Sequence, residues 1–206
     1  MVVVPHGVDR TYLSSNQNDD RDKFLLSVSD IYVQKNFIVL IKAIANLRER
    51  IPDIRLKIAG SPVDAEYFAA LKALITEQHL DEHVEFLGHV PVNELKKLYG
   101  RCRIFVFPST VETFGNPLVE AMACGAPIAS SNTAAMPEVL SDAAVYFDPN
   151  DIDNITDVLG ELYNDPAART DLTSKALKRA KLYAWEETKN LTLQVILDSK
   201  EAVAGK

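Results

Sequence analysis

The sequence predicts an α/β fold, a single doubly wound parallel sheet of about six strands with extra helices at the C-terminal end. Three observations carry that prediction. Short apolar runs alternate with segments whose apolar residues recur three and four positions apart. The runs, such as Ile104-Phe105-Val106-Phe107, are apolar without polar alternation, as expected of strands covered by helices on both faces. Gly60, Pro91 and Pro117 punctuate the units where a strand should stop or a helix begin.

Residues 24–29 (FLLSVS) form the first predicted strand, followed by a helical face of Phe37, Leu40, Ile41, Ile44 and Ala45. Residues 55–59, closed by Gly60, form the second, and Phe68, Leu71, Leu74 and Ile75 repeat helically within residues 67–80. Strand 84–87 precedes helix 91–99, and strand 104–107 precedes helix 117–123. Residues 126–130 and 143–147 complete the six. From Asp151 onward the pattern is helical only: Ile152, Ile155, Leu159 and Leu162, then Leu172, Ala176 and Ala180, then Leu191, Val195 and Ile196, with breaks at Pro166 and Trp185. Residues 14–22 are polar and aperiodic. The chain therefore divides into a junction segment and polar loop (1–22), read as the tail of a preceding segment, a Rossmann-like domain (23–184) and a C-terminal helix (185–206).

Composition narrows the function classes. With 206 residues, 47% hydrophobic and 25% charged, one globular domain with a substantial core is expected. The net charge of −7 and the lack of a long Lys/Arg stretch argue against a nucleic-acid partner. The apolar runs fall far short of the roughly 20 residues of a membrane span, and the first residues lack the basic start of a signal peptide, so membrane contact is not evident. Cys102 and Cys124 lie in apolar segments without disulfide or metal spacing, which points to a cytoplasmic setting. Dinucleotide and triphosphate-loop glycine motifs are lacking.

In an open parallel sheet, ligands bind beyond the carboxyl ends of the strands, which directs attention to the loop after residues 104–107. It reads PSTVETFGNPLVEAMACG. Gly115 lets backbone approach a ligand, Asn116 suits a cap and Pro117 a first helical position. The N–H groups of Leu118, Val119 and Glu120 would then face outward from a helix N-terminus that attracts phosphate. Glu112 and Glu120 flank this anion site, each able to accept a pair of sugar hydroxyls. The residues alone leave a second reading open, in which Glu112 is a solvated loop residue and Glu120 an ordinary helix-start carboxylate.

The spacing Glu112, Phe114-Gly115, Glu120, continued by Ala121-Met122-Ala123-Cys124-Gly125, resembles the signature of the C-terminal domain of family-4 retaining glycosyltransferases of GT-B architecture. The resemblance spans nearly the whole chain. Pro5-His6-Gly7-Val8-Asp9 is similar to that family's junction, Gln34-Lys35-Asn36 to its diphosphate-binding lysine loop, Val84-Glu85-Phe86-Leu87-Gly88 to the strand leading to its base pocket, and Pro137-Glu138-Val139 to its next turn. It implies that Glu112 contacts donor-sugar hydroxyls, Glu120 the ribose hydroxyls and Lys35 the diphosphate. Backbone groups of Phe114, Gly115, Asn116, Leu118 and Val119 would assist, with base contacts near Gly88 and Val90. It further implies a nucleoside-diphosphate sugar as donor substrate, no metal and no cofactor, retention of anomeric configuration, and an acceptor held mainly by an N-terminal domain outside this chain. One departure is Ser29-Asp30 where the family commonly has Gly-Arg, which puts an aspartate where a diphosphate clamp is expected.

Other patterns read more simply. Asp151-Ile152-Asp153 opens a helix, where acidic residues are ordinary. His79-Leu80-Asp81-Glu82-His83 spells a zinc-protease pattern, but helical periodicity stops at Leu80. His6 and His89 stand alone, and Cys124 reads as packed. Two rival functions stay open: a nucleotide-sugar epimerase of the same architecture, and a non-catalytic nucleotide-sugar-binding module.

Overall fold

The computed structural model describes residues 4–9, 12 and 21–204. Six parallel strands form one sheet: β1 (Leu25–Val28), β2 (Leu56–Ala59), β3 (Val84–Gly88), β4 (Ile104–Phe107), β5 (Ile128–Ser131) and β6 (Ala144–Phe147), in the order β3-β2-β1-β4-β5-β6. In register, Leu25 of β1 stands beside Leu56 on one side and Ile104 on the other. The helices are α1 (Phe37–Arg50), α2 (Ala65–Glu77), α3 (Val92–Arg101), α4 (Asn116–Ala123), α5 (Met136–Leu140), α6 (Ile152–Asn164), α7 (Pro166–Ala180) and α8 (Trp185–Ala204).

The absence of alternation along the strands has a direct cause. Ile104 and Val106 of β4 pack into a core with Phe37, Leu40 and Leu159, while Phe105 and Phe107 between them pack into a second core with Tyr99, Leu118 and Met122. Each face of the sheet thus has its own apolar layer, so both sets of strand side chains are apolar. Each fully buried Leu, Ile or Phe contributes about 1.5–3 kcal/mol relative to an exposed one.

Helix starts follow the expected chemistry. Asp64, Asp151 and Asp165 each accept a bond from the N–H three residues on, capping α2, α6 and α7. Such a cap is worth about 1 kcal/mol. Asp151, of the Asp-x-Asp pattern, is one of these caps. Residues 79–83 are a turn: α2 ends at Glu77, His79 takes a left-handed conformation (φ 53°), and a His83 ring nitrogen meets the Ile54 carbonyl at 2.9 Å.

Two expectations need correction, and a third falls largely outside the described residues. The segment before the domain is more than a tethered tail: Val8 donates to the Tyr183 carbonyl, bridges Ala184 and is buried, and the Pro5 carbonyl accepts from Thr188. Of the polar loop read at 14–22, residues 14–20 lie outside the described residues. In α8 the spacing of Leu191 and Ile196 suggested a packed face, yet both are exposed, together with Leu193 and Leu197. Among the described residues no helix is long and apolar enough to cross a membrane.

Candidate functional site

The strand order places β1 and β4 side by side, while the chain leaves them toward opposite edges of the sheet. At such a switch point the two following loops part and leave a crevice. The loop after β1 ends in a short helical turn, Val33–Lys35, and Asn36 in a left-handed conformation (φ 58°). The loop after β4 holds it: Thr110 donates its N–H (3.0 Å) and its hydroxyl (3.3 Å) to the Gln34 carbonyl. Next to that tie, Lys35 Nζ donates to Glu112 Oε1 at 2.5 Å.

The two residues assigned to different parts of a donor are therefore ion-paired, with side chains only 11% and 14% exposed. Aromatic rings of Tyr32 (5.1 Å) and Phe107 (5.9 Å) flank the ammonium group. Burial works against its charge, but the bonds to Glu112 and Tyr32 outweigh that and hold its pKa above the ordinary lysine value. Lys35 is thus a fixed cation at the crevice. Asp30, at the expected clamp position, accepts the Ser61 N–H at 3.2 Å and braces the neighbouring loop.

Helix α4 begins one residue earlier than the sequence suggested. Gly115 occupies the cap position in a left-handed conformation (φ 82°) that glycine adopts without strain, and a Cβ there would sit 2.9 Å from Leu118 Cδ1. Asn116 is the first helical residue and its side chain makes no cap bond. The anion-binding expectation narrows accordingly. Pro117 has no N–H, that of Leu118 donates to the Gly115 carbonyl at 2.9 Å, and Glu120 falls within the helix ladder. The backbone donors best placed for a phosphate are those of Gly115 and Asn116. Leu118 and Val119 are core side chains. Phe114 packs edge-on to Tyr183 at 5.6 Å and lies 6.0 Å from His6, so the exposed His6 is less solitary than its sequence position implied.

Glu120, within α4, is held by a residue of α3. Its Oε2 accepts the Tyr99 hydroxyl at 3.0 Å, and the Tyr12 phenol faces the same carboxylate. Burial pushes its pKa up, and the two phenols partly reverse the shift. Sequence reasoning missed both tyrosines. The available signal was that a tyrosine on the apolar face of a helix needs a partner for its hydroxyl. Gly88 adopts φ +64° and gives its carbonyl to Gly60 N–H (2.8 Å), tying the loops after β2 and β3. Val90 lines a groove of about 540 Å³ with Leu87, His89, Pro91 and Leu98, and neither Lys35, Glu112 nor Glu120 borders it. Val90 therefore borders a groove that the ion pair does not share. A second groove, of about 470 Å³, has Phe114, Thr113 and His6 in its wall.

Both cysteines are free and buried, and burial pushes each thiol up to about 12, so neither is a thiolate nucleophile near neutral pH.

A family model described as glycosyl transferases group 1 matches residues 9–179. The O-antigen chain mannosyltransferase B of Escherichia coli is 42% identical over 55% of this chain and 29% of its own length. A D-inositol 3-phosphate glycosyltransferase of Arthrobacter sp. (strain FB24) is 33% identical over 93% of this chain and 48% of its own. Among solved structures, Anabaena Alr3699/HepE in complex with UDP and glucose superposes with a TM-score of 0.81 at 20% identity, over 95% of this chain and 55% of that one. The chain thus spans about half or less of the length of these relatives.

Proposed function

The chain belongs to the glycosyl transferases group 1 family, and on that premise we propose that it is the donor-binding half of a retaining glycosyltransferase, which moves a sugar from a nucleoside-diphosphate sugar to an alcohol acceptor. One observation carries the reading: Lys35 and Glu112, from the two loops that part at the β1–β4 switch point, meet at the start of α4. A cation, a carboxylate and helix-start N–H groups there match a diphosphate joined to a polyhydroxylated ring.

In this reading the diphosphate draws Lys35 away from Glu112, and the released carboxylate accepts donor-sugar hydroxyls. Glu120 accepts the ribose hydroxyls. The bond from the anomeric carbon to the diphosphate oxygen breaks, the acceptor oxygen bonds to that carbon from the same face, and the acceptor proton passes to the departing diphosphate. Lys35 and the α4 N-terminus stabilise the leaving charge, and positioning supplies the rest. No side-chain nucleophile takes part. We place the acceptor on a partner half outside these 206 residues, so this half alone should not turn over. The free buried thiols support a cytoplasmic setting.

UDP or GDP is expected to bind this chain in calorimetry without added metal, because Lys35 and a helix start neutralise the diphosphate between them. If EDTA abolishes the binding heat, the metal-free, cofactor-free assignment is wrong. For the longer enzyme that contains this domain, NMR of the product should show the donor's anomeric configuration preserved. An inverted product would remove the mechanism.

A further inference from the structure

Glu120 has a setting that its helix position does not explain. It lies on α4 between a residue of α3 and a residue of the segment that precedes the domain. Tyr99, on α3, is fully buried, with its ring edge-on to Phe105 at 5.3 Å and to Tyr12 at 6.5 Å. Its hydroxyl ends on Glu120 Oε2 at 3.0 Å. Tyr12 is buried beneath Lys96, whose ammonium lies 5.2 Å from the ring centre, and its backbone carbonyl faces the Cys124 thiol. Phenols are donors only while protonated, and burial beside Glu120 pushes the pKa values of both well above the usual tyrosine value. A half-buried carboxylate held this way keeps one oxygen on Tyr99 and has lone pairs left for a ligand.

We infer that Tyr99, supported by Tyr12, is a positioning residue for nucleotide recognition: its hydroxyl aims the Glu120 carboxylate so that it can accept the ribose hydroxyls. The inference rests on the ribose assignment of Glu120 proposed above. It adds the part of the site that stands outside the Glu112–Glu120 loop and helix, including a residue of the N-terminal segment.

Three features set the expected pH behaviour. Glu120 is faced by Tyr12, by Tyr99 of α3 and by Cys124 just past the end of α4, while Lys96 lies over the Tyr12 ring. Burial raises its pKa, and the two phenols lower it. Removing the Tyr99 hydroxyl removes a lowering contribution, so the carboxylate takes up its proton at higher pH and binding is lost earlier on acidification.

The test titrates this chain with UDP, GDP and inorganic pyrophosphate across the acid range. Tyr99→Phe keeps the ring and removes the donor. It is expected to weaken the preferred nucleoside diphosphate roughly tenfold, to move the acid limb of binding to higher pH, and to leave pyrophosphate binding unchanged. In a Glu120→Gln background the same substitution should do nothing further. Tyr12→Phe should act in the same direction and carries the test if Tyr99→Phe melts early. A merely structural role would lower the melting temperature and leave the acid limb in place. If Glu120→Gln weakens binding but neither phenylalanine variant shifts the acid limb, the positioning role is overturned while the site reading stands. If Glu120→Gln itself changes nothing, the ribose assignment has failed and the positioning role falls with it.

Discussion

Gly60→Ala should cost this chain about 3–5 kcal/mol of stability, one of the largest losses available from adding a single methyl group. Gly60 closes β2 at φ +150°, and a Cβ there would lie 1.8 Å from the Ser29 carbonyl oxygen, 2.4 Å from its carbon and 3.0 Å from the Asp30 nitrogen. All three are backbone atoms, so no side-chain rotation relieves the clash. Nor can the loop slide aside freely. Ser29 N–H is held by the Ala59 carbonyl (2.9 Å), Ile31 N–H by the Ser61 carbonyl (2.8 Å), and Gly60 N–H by the Gly88 carbonyl (2.8 Å). Either these bonds break or the left-handed backbone is abandoned. For a chain of this size the loss corresponds to a fall in melting temperature of roughly 10 °C. Gly88→Ala is the control. Its φ of +64° is also left-handed, but a Cβ there has no heavy atom within 4 Å, so only about 1 kcal/mol of backbone strain is expected. Equal melting temperatures for the two variants would show that the close approach of the β1 and β2 loops is not rigid.

The same loops show what a sequence can and cannot disclose. Strand β4 was legible to the residue, because both faces of the sheet demand apolar side chains and Pro108 ends the run. The end of α2 was not. Leu80 falls at helical spacing and is buried, but it reaches the core after a left-handed turn at His79, which spacing alone does not reveal. The start of α4 was displaced by one residue for a similar reason: Asn116 has the right side chain for a cap, yet Gly115 takes the position because the turn needs φ of 82°. In the site, Glu112 and Glu120 could be named from their place in the loop after β4, and Lys35 from the family resemblance. That Lys35 and Glu112 touch could not, since they are 77 positions apart and meet only because β1 and β4 are neighbours in the sheet. The phenols on Glu120 were hidden in the same way. Tyr99 looks like core until its hydroxyl is followed to its acceptor.

The ion pair changes what the Glu112 substitution should do. Read from sequence, Glu112 touches only the sugar, and its loss leaves nucleoside diphosphate binding nearly unchanged. In the folded domain, Glu112 already holds the ammonium group proposed to bind the diphosphate, so on that proposal a diphosphate must compete for Lys35 against a half-buried carboxylate. Glu112→Gln removes that competitor and a negative charge beside the incoming phosphates. Nucleoside diphosphate binding should therefore tighten, by about 1 kcal/mol, the net worth of an intramolecular hydrogen bond. The intact nucleotide sugar should gain less or lose, because the same substitution removes the acceptor for its ring hydroxyls. Glu120→Gln should weaken both ligands, by about 1.5–3 kcal/mol for hydrogen bonds to a charged group. Four dissociation constants separate these cases, two ligands against two variants, with thermal melting to confirm that each variant is folded. Opposite signs for the two glutamates in nucleoside diphosphate binding are the diagnostic result. If Glu112→Gln weakens the nucleoside diphosphate and the nucleotide sugar equally, then Lys35 needs Glu112 to hold its place, the pair is a strut of the β1 and β4 loops, and the sugar must be recognised elsewhere.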